Sequence, residues 1–126
     1  YKGRTLNSSM IDSGANGLFF DDTQAFPSTC SSPAGFYCPA TAQNLSASIA
    51  LAASSAAVHF QIANANALFA PGTNVAFNNL GGPIGGSYFY WGLPFYFGRT
   101  VYTVIEGQPV QLGAQSLSGP FHAFVD

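Results

Sequence analysis

The stretch Met10-Ile11-Asp12-Ser13-Gly14-Ala15-Asn16-Gly17-Leu18-Phe19-Phe20 sets one carboxylate between two apolar runs and follows it with two glycines. "RTLNSSMI" leads into Asp12 as a strand and "GLFF" leaves it as another. Asp-Ser-Gly is an ordinary turn sequence, because Asp and Ser can bond back to nearby backbone and Gly accepts conformations closed to other residues. The acid is therefore either a turn residue or half of a catalytic pair. The rest of the chain has to decide.

Working outward, the periodicity remains that of strands. In "LSASIAL", Leu45, Ala47, Ile49 and Leu51 alternate with Ser46, Ser48 and Ala50, and in "VHFQI", Val58, Phe60 and Ile62 alternate with His59 and Gln61. "AASS" between them suits a hairpin loop. "TVYTVIEG" is a β-branched, aromatic run that stops at a glycine, and "GPFHAFV" reads as a last strand. Only "LPFYFGR" suits a helix, with Pro94 at a first helical position and Gly98 as its stop. "NNLGGPIGGS" reads as a long loop. It lacks the Lys-Ser/Thr ending of a phosphate-binding loop, so its glycines serve turns or close packing. No repeat or composition break divides the chain, and residues 1–126 are expected to form one domain.

Charged residues make up only 6% of the chain, against about 25% in an ordinary soluble domain. Hydrophobic residues reach 48%, a mixture too apolar for disorder. Lys2, Arg4 and Arg99 are the only fixed cations, so no basic cluster exists to hold nucleic acid. No apolar run approaches the roughly 18 residues of a membrane helix, and no transmembrane segment is expected. The start at Tyr1, without a signal-like segment, suggests a mature or excised piece. A surface so poor in charge is weakly protected against self-association, so a partner or neighbouring chain is expected to cover part of it.

Cys30 and Cys38 bracket the turn-rich "SSPAGFY" and do not fit zinc spacing. A disulfide would close that loop and contribute roughly 2.5 kcal/mol. This points to a secreted, periplasmic or cell-surface location; two free thiols in a cytosolic protein are the alternative. No metal site and no cofactor is expected. Asp12, Gly14 and Asn16 break the calcium-loop pattern at its second ligand, and no glutamate closes it. A serine hydrolase lacks its G-x-S-x-G elbow. His59 lies on the polar face of its strand, and His122 stands between Phe121 and Phe124 as a structural residue. Asp21-Asp22 reads as a solvated turn or short cap before the cysteine loop.

Strand, Asp12-Ser13-Gly14, then strand resembles the active-site loop of aspartic peptidases, the pepsin and retropepsin superfamily. "FYWGLPFYFGRTVYTVIEG" resembles that family's apolar pair plus glycine, followed by a short helix and a strand. Tyr90-Trp91-Gly92 takes the place of the pair and glycine, Leu93 to Arg99 the helix, and Val101 to Glu106 the strand beneath the active-site loop. The cysteine loop after "GLFF" is similar to the small disulfide loop of many pepsins. The chain also resembles, from about Tyr1 to Asp126, the second lobe of an uncharacterised bacterial pepsin-like family with a similar "DSG-N-GLFF", "GFYCP" and "WGLPF-FGR".

The resemblance implies an all-β, pepsin-like lobe: a curled antiparallel sheet or barrel with one short helix. It implies Asp12 as a catalytic carboxylate, Ser13 as a hydroxyl bracing the facing loop and Gly14 as a close-approach position. Trp91 and Gly92 would pack near the site. Ala15 departs from the Ser or Thr of pepsins, though retroviral members also have Ala. Only eleven residues precede Asp12, and no second Asp-Thr/Ser-Gly occurs, so catalysis would need a second lobe or a symmetric dimer acting on a peptide substrate. The rival expectation is a non-catalytic, secreted structural or self-assembling domain on the same fold. A third, a carbohydrate- or peptide-binding module using Tyr88, Tyr90 and Trp91, rests on composition alone, and core packing accounts better for those rings.

Overall fold

Short apolar runs broken by glycine and proline leave little room for helix, and the structure, a computed structural model describing residues 1–50 and 55–125, is mostly strands. It divides into two compact units, Tyr1–Phe95 and Tyr96–Asp126. In the first, β1 (Met10–Ile11) and β2 (Leu18–Phe20) enter a four-stranded sheet with β5 (Gly81–Gly82) and β6 (Phe89–Trp91), in the order β1-β6-β2-β5. β6 runs parallel to β1 and antiparallel to β2, and β5 runs parallel to β2. The sheet is mixed because the Asp12 loop reverses the chain across a gap one strand wide, which β6 fills. No sheet of the described residues closes into a barrel.

Alternation along these strands builds the core. Leu18, Phe20, Phe89 and Trp91 are buried, while Phe19 and Tyr90 between them are only half-buried. Phe20 stacks on Phe89 at 4.7 Å between ring centroids, and Phe89 on Trp91 at 4.1 Å. Phe60 meets all three rings edge-on, at 5.6–5.7 Å. Each such pair adds about 0.5–1.5 kcal/mol beyond its buried area. Phe60 belongs to β4 (Ser55–Ile62), which pairs with β3 (Gln43–Ala50) in unbroken antiparallel register from Gln43↔Ile62 to Ala50↔Ser55. Ser55 opens β4; the rest of the "AASS" loop lies outside the described residues.

The glycine-rich loop is partly a strand. Gly81 lies so close to its neighbours that a Cβ there would stand 2.6 Å from Ile62 Cδ1 and 2.7 Å from the Leu18 carbonyl oxygen. Without side chains, β5 carried no strand pattern to read. The α-helix is α1 (Ala65–Phe69), capped by Asn64, whose side chain accepts from the Ala67 N–H at 3.3 Å. "LPFYFGR" forms a 3-10 turn over Leu93–Tyr96 instead, and Gly98 follows at φ 75°. At its entrance the Leu93 N–H, a donor that any helix start leaves without an internal partner, donates to the Ala15 carbonyl.

Cys30 and Cys38 are joined in a disulfide with Cα atoms 5.0 Å apart. Cys30 packs with Ala65, Phe77 and Leu80 in a second buried cluster, flanked by Phe36, Cys38 and Leu68. In the second unit, β7 (Thr100–Val104) pairs antiparallel with β10 (Phe121–Val125), as their β-branched and aromatic runs suggest. A hairpin not evident in the periodicity, β8 (Pro109–Leu112) with β9 (Gln115–Ser118), turns through Gly113 at φ 62°. Its only signal is the Gly113-Ala114 pair between two short alternating runs. No helix among the described residues is long and apolar enough to cross a membrane.

Asp22 differs from the expected solvated turn. It does cap a turn, accepting from the Ala25 N–H at 3.1 Å, but it is buried. Its Oδ2 receives the Tyr1 hydroxyl at 2.5 Å and faces Lys2 Nζ at 2.7 Å. The Asp22 N–H donates to the Tyr37 hydroxyl, which donates to the Phe20 carbonyl. Burial penalises the Asp22 charge, but hydrogen bonds from Lys2, Tyr1 and Ala25 outweigh it and hold the carboxyl below its ordinary value. Burial, the Asp22 hydrogen bond and the Asp22 charge push the Tyr1 phenol upward. Tyr37 is pushed up to about 12, first by burial and then by the nearby Asp21 and Asp22 charges.

Two outcomes follow. Reduction of the disulfide lowers unfolding stability by roughly 2.5 kcal/mol in a denaturant titration with and without reductant. Because the folded Asp22 pKa is depressed, its stabilisation is fully present above the ordinary carboxylate range and is lost as pH falls through the folded value. Asp22→Asn therefore costs about 1–3 kcal/mol at pH 7 and much less near pH 2, read from urea midpoints at the two pH values.

Candidate functional site

Asp12 stands where β1 ends, and the loop that follows is tied to β6. The Asp12 N–H donates to the Trp91 carbonyl at 3.0 Å, and the Leu93 N–H donates to the Ala15 carbonyl at 2.7 Å. These bonds hold the loop from both sides of Gly92. A Cβ on Gly92 would lie 2.5 Å from the Ala15 carbonyl oxygen and closer still to that of Gly17. Only glycine fits there without moving the backbone. The far end of the loop is fixed by the Leu18 N–H, which donates to the Leu80 carbonyl at 2.9 Å.

Within the loop, Asp12 closes its own turn. The Gly14 N–H donates to Asp12 Oδ1 at 2.8 Å, and the Ala15 N–H donates to the Asp12 carbonyl at 3.2 Å. The first bond fixes the direction of the carboxylate by an Asx-type turn. A Cβ on Gly14 would approach that same Oδ1 to 3.2 Å, a tight but not impossible fit. Asp12 is half-buried, and Ser13 and Gly14 are exposed. Trp91 is buried, with its ring stacked on Phe89 and edge-on to Phe95 at 5.5 Å.

The structure thus brings Asp12, Gly14, Trp91 and Gly92 into one loop-and-strand assembly and sets Ser13 at its exposed tip. Cys30 and Cys38 belong to the second core cluster. Of the three rings considered as a binding platform, Trp91 is core, Tyr90 is half-buried and Tyr88 is exposed. His122 Nδ1 and Thr103 Oγ1 lie 3.1 Å apart across β7 and β10, and His59 faces Ser46 across β3 and β4. Among the described residues, no three His, Cys, Asp or Glu side chains are grouped to hold a metal ion. Sequence reasoning missed the receiving side of the loop, the carbonyls of Ala15 and Gly17. Its only trace was a glycine before each of "LFF" and "LPF".

These features define an all-β protein with one short helix, in which a turn built on an aspartate is carried by a strand threaded between the two strands it joins. The chain belongs to a family described as Protein of unknown function (DUF3443), whose model matches residues 1–124. No curated protein and no solved structure matches it.

The Gly92 fit gives a direct outcome. Gly92→Ala costs about 3 kcal/mol or more, since its Cβ meets backbone rather than a side chain that can swing away. Gly14→Ala costs markedly less, because the neighbour it meets is a side-chain oxygen. Urea midpoints of the two variants beside the parent chain check the order, and equal shifts would contradict it.

Proposed function

We propose that this chain is an aspartic-peptidase-like lobe that supplies Asp12 to an active site completed by a second lobe or a second protomer. The observation that supports it is the seating of the Asp12 loop on Trp91-Gly92-Leu93, the placement implied by the resemblance of "YWGLPF" to the aspartic-peptidase pattern. The chemistry needs two carboxylates about 3 Å apart, which cannot both ionise and so share a proton. One activates water while the other polarises the scissile carbonyl. In that reading the Gly14 N–H aims the Asp12 carboxylate, and exposed Ser13 offers its hydroxyl to the facing loop. The substrate is an unfolded or extended polypeptide. The Cys30–Cys38 disulfide supports an extracytoplasmic location.

A second reading has its own observation. The bond from the Gly14 N–H to Oδ1 accounts for Asp12 as a structural turn residue with no catalytic duty, in a secreted structural or self-assembling domain. Asp12→Asn separates the two, because an amide oxygen can keep the Gly14 bond but an amide cannot cycle a proton. In the first reading the assembled protein cleaves unfolded polypeptide under acidic conditions. Asp12→Asn then lowers the rate about 10³-fold or more with an unchanged melting temperature. Cleavage that persists unchanged in Asp12→Asn removes Asp12 from catalysis, and an inactive assembled wild type leaves the structural reading.

A further inference from the structure

The ribbon of β3 and β4 is the longest regular element of the described chain, and it is a sheet of two strands only. Such a ribbon has two open edges, each a row of backbone N–H and C=O groups set to pair with another strand. The two edges are not alike. Just beyond β4, the Ala63 N–H donates to the Asn79 carbonyl, and the Asn79 side-chain amide donates to Gln61 Oε1 at 3.2 Å, so its base is occupied. For β3, no backbone hydrogen bond among the described residues reaches any of Gln43–Ala50 except those to β4.

Edge strands are ordinarily protected by a charge, a proline or a bulge. β3 has none of these. No Asp, Glu, Lys or Arg occurs between Asp22 and Arg99, no proline lies within β3 or β4, and all eight pairs run in register without a bulge. By contrast, Arg99 and Glu106 stand beside the ends of β7.

We propose that β3 is an interaction edge whose occupant is β3 of a second copy of this chain, joined antiparallel about a two-fold axis. The period of two sets the register. Paired residues must lie on the same face, so a symmetric antiparallel pairing is centred on one residue, opposite its own copy. Centring on Ser46 or on Ala47 pairs seven residues of β3, but only Ala47 as the centre keeps Ile49 opposite an apolar residue, since Ser46 as the centre would set it against Gln43. The Ala47 centre sets Ser46 opposite Ser48 of the copy, Leu45 opposite Ile49 and Asn44 opposite Ala50. Apolar residues then meet apolar ones on the face that carries Val58 and Phe60, and on the other face serine meets serine, with Asn44 against Ala50 at either end. An identical neutral edge brings no like charges together, which is the condition a self-pairing surface must meet. The seven-residue pairing is small beside a typical interface of about 1,600 Å², so the dimer is weak and reversible. This inference does not depend on the role of Asp12.

The test is a charge swap at two exposed positions of β3. Wild type sediments as a reversible monomer–dimer system. Ser46→Lys/Ser48→Lys sets two lysines opposite two lysines and weakens dimerisation about tenfold or more, and Ser46→Glu/Ser48→Glu does the same. An equimolar mixture of the two variants recovers association as a heterodimer. That recovery also shows that both variants remain folded. Wild type that stays monomeric at about 1 mM overturns the proposal. So does a Lys variant that dimerises like wild type, or a mixture that stays monomeric while circular dichroism shows both variants folded.

Discussion

Where the chain leaves β6, the Cα of Gly92 lies against the carbonyl oxygens of Ala15 and Gly17, and any side chain would push the two segments apart. Two hydrogen bonds depend on that approach: Asp12 N–H to Trp91 and Leu93 N–H to Ala15. The position of Asp12 relative to the sheet depends in turn on those bonds. The 3-10 turn that follows is anchored to the loop by the second of them. Beneath it, the stacked rings of Phe20, Phe89 and Trp91 keep β6 level with β2, so the core reaches the loop through backbone contact.

Asp12 and Asp22 are treated in opposite ways. The Asp22 carboxylate is taken out of water and matched by a lysine, the Tyr1 hydroxyl and the Ala25 N–H, which makes it part of the packing. Asp12 receives a single backbone N–H at one oxygen and stays half-buried at the end of a strand. A chain with so few charges places one where it binds elements together and the other where it can meet an outside group.

Alternation of apolar and polar residues made the β3–β4 hairpin legible, and runs rich in aromatic or β-branched residues marked β2, β7 and β10. The disulfide was legible from the turn-rich segment between its cysteines. What remained hidden was structure made by backbone alone. β5 is two glycines, whose value lies in the approach of Ile62 and Leu18, and no periodicity can register a missing side chain. α1 is five residues long, and its one signal, Asn64 as a cap, is common in loops. For the site, "DSG" and "WG" marked the two segments that meet, while the role of Tyr1 and Lys2 at Asp22 depends on a fold-back that no local pattern encodes.

Threading β6 between β1 and β2 also sets an order of assembly. The two strands joined by the Asp12 loop cannot pair with each other, because the space between them belongs to residues 89–91. Local pieces such as the β3–β4 hairpin and the cysteine loop close over short spans, but this sheet waits on a contact across most of the first unit. As the chain is synthesised, the aspartate emerges 80 residues ahead of Gly92 and has no strand to seat its loop until Gly92 has been made. Its geometry therefore follows the local pieces of the first unit, and a nascent chain carries the acid well before it carries the site.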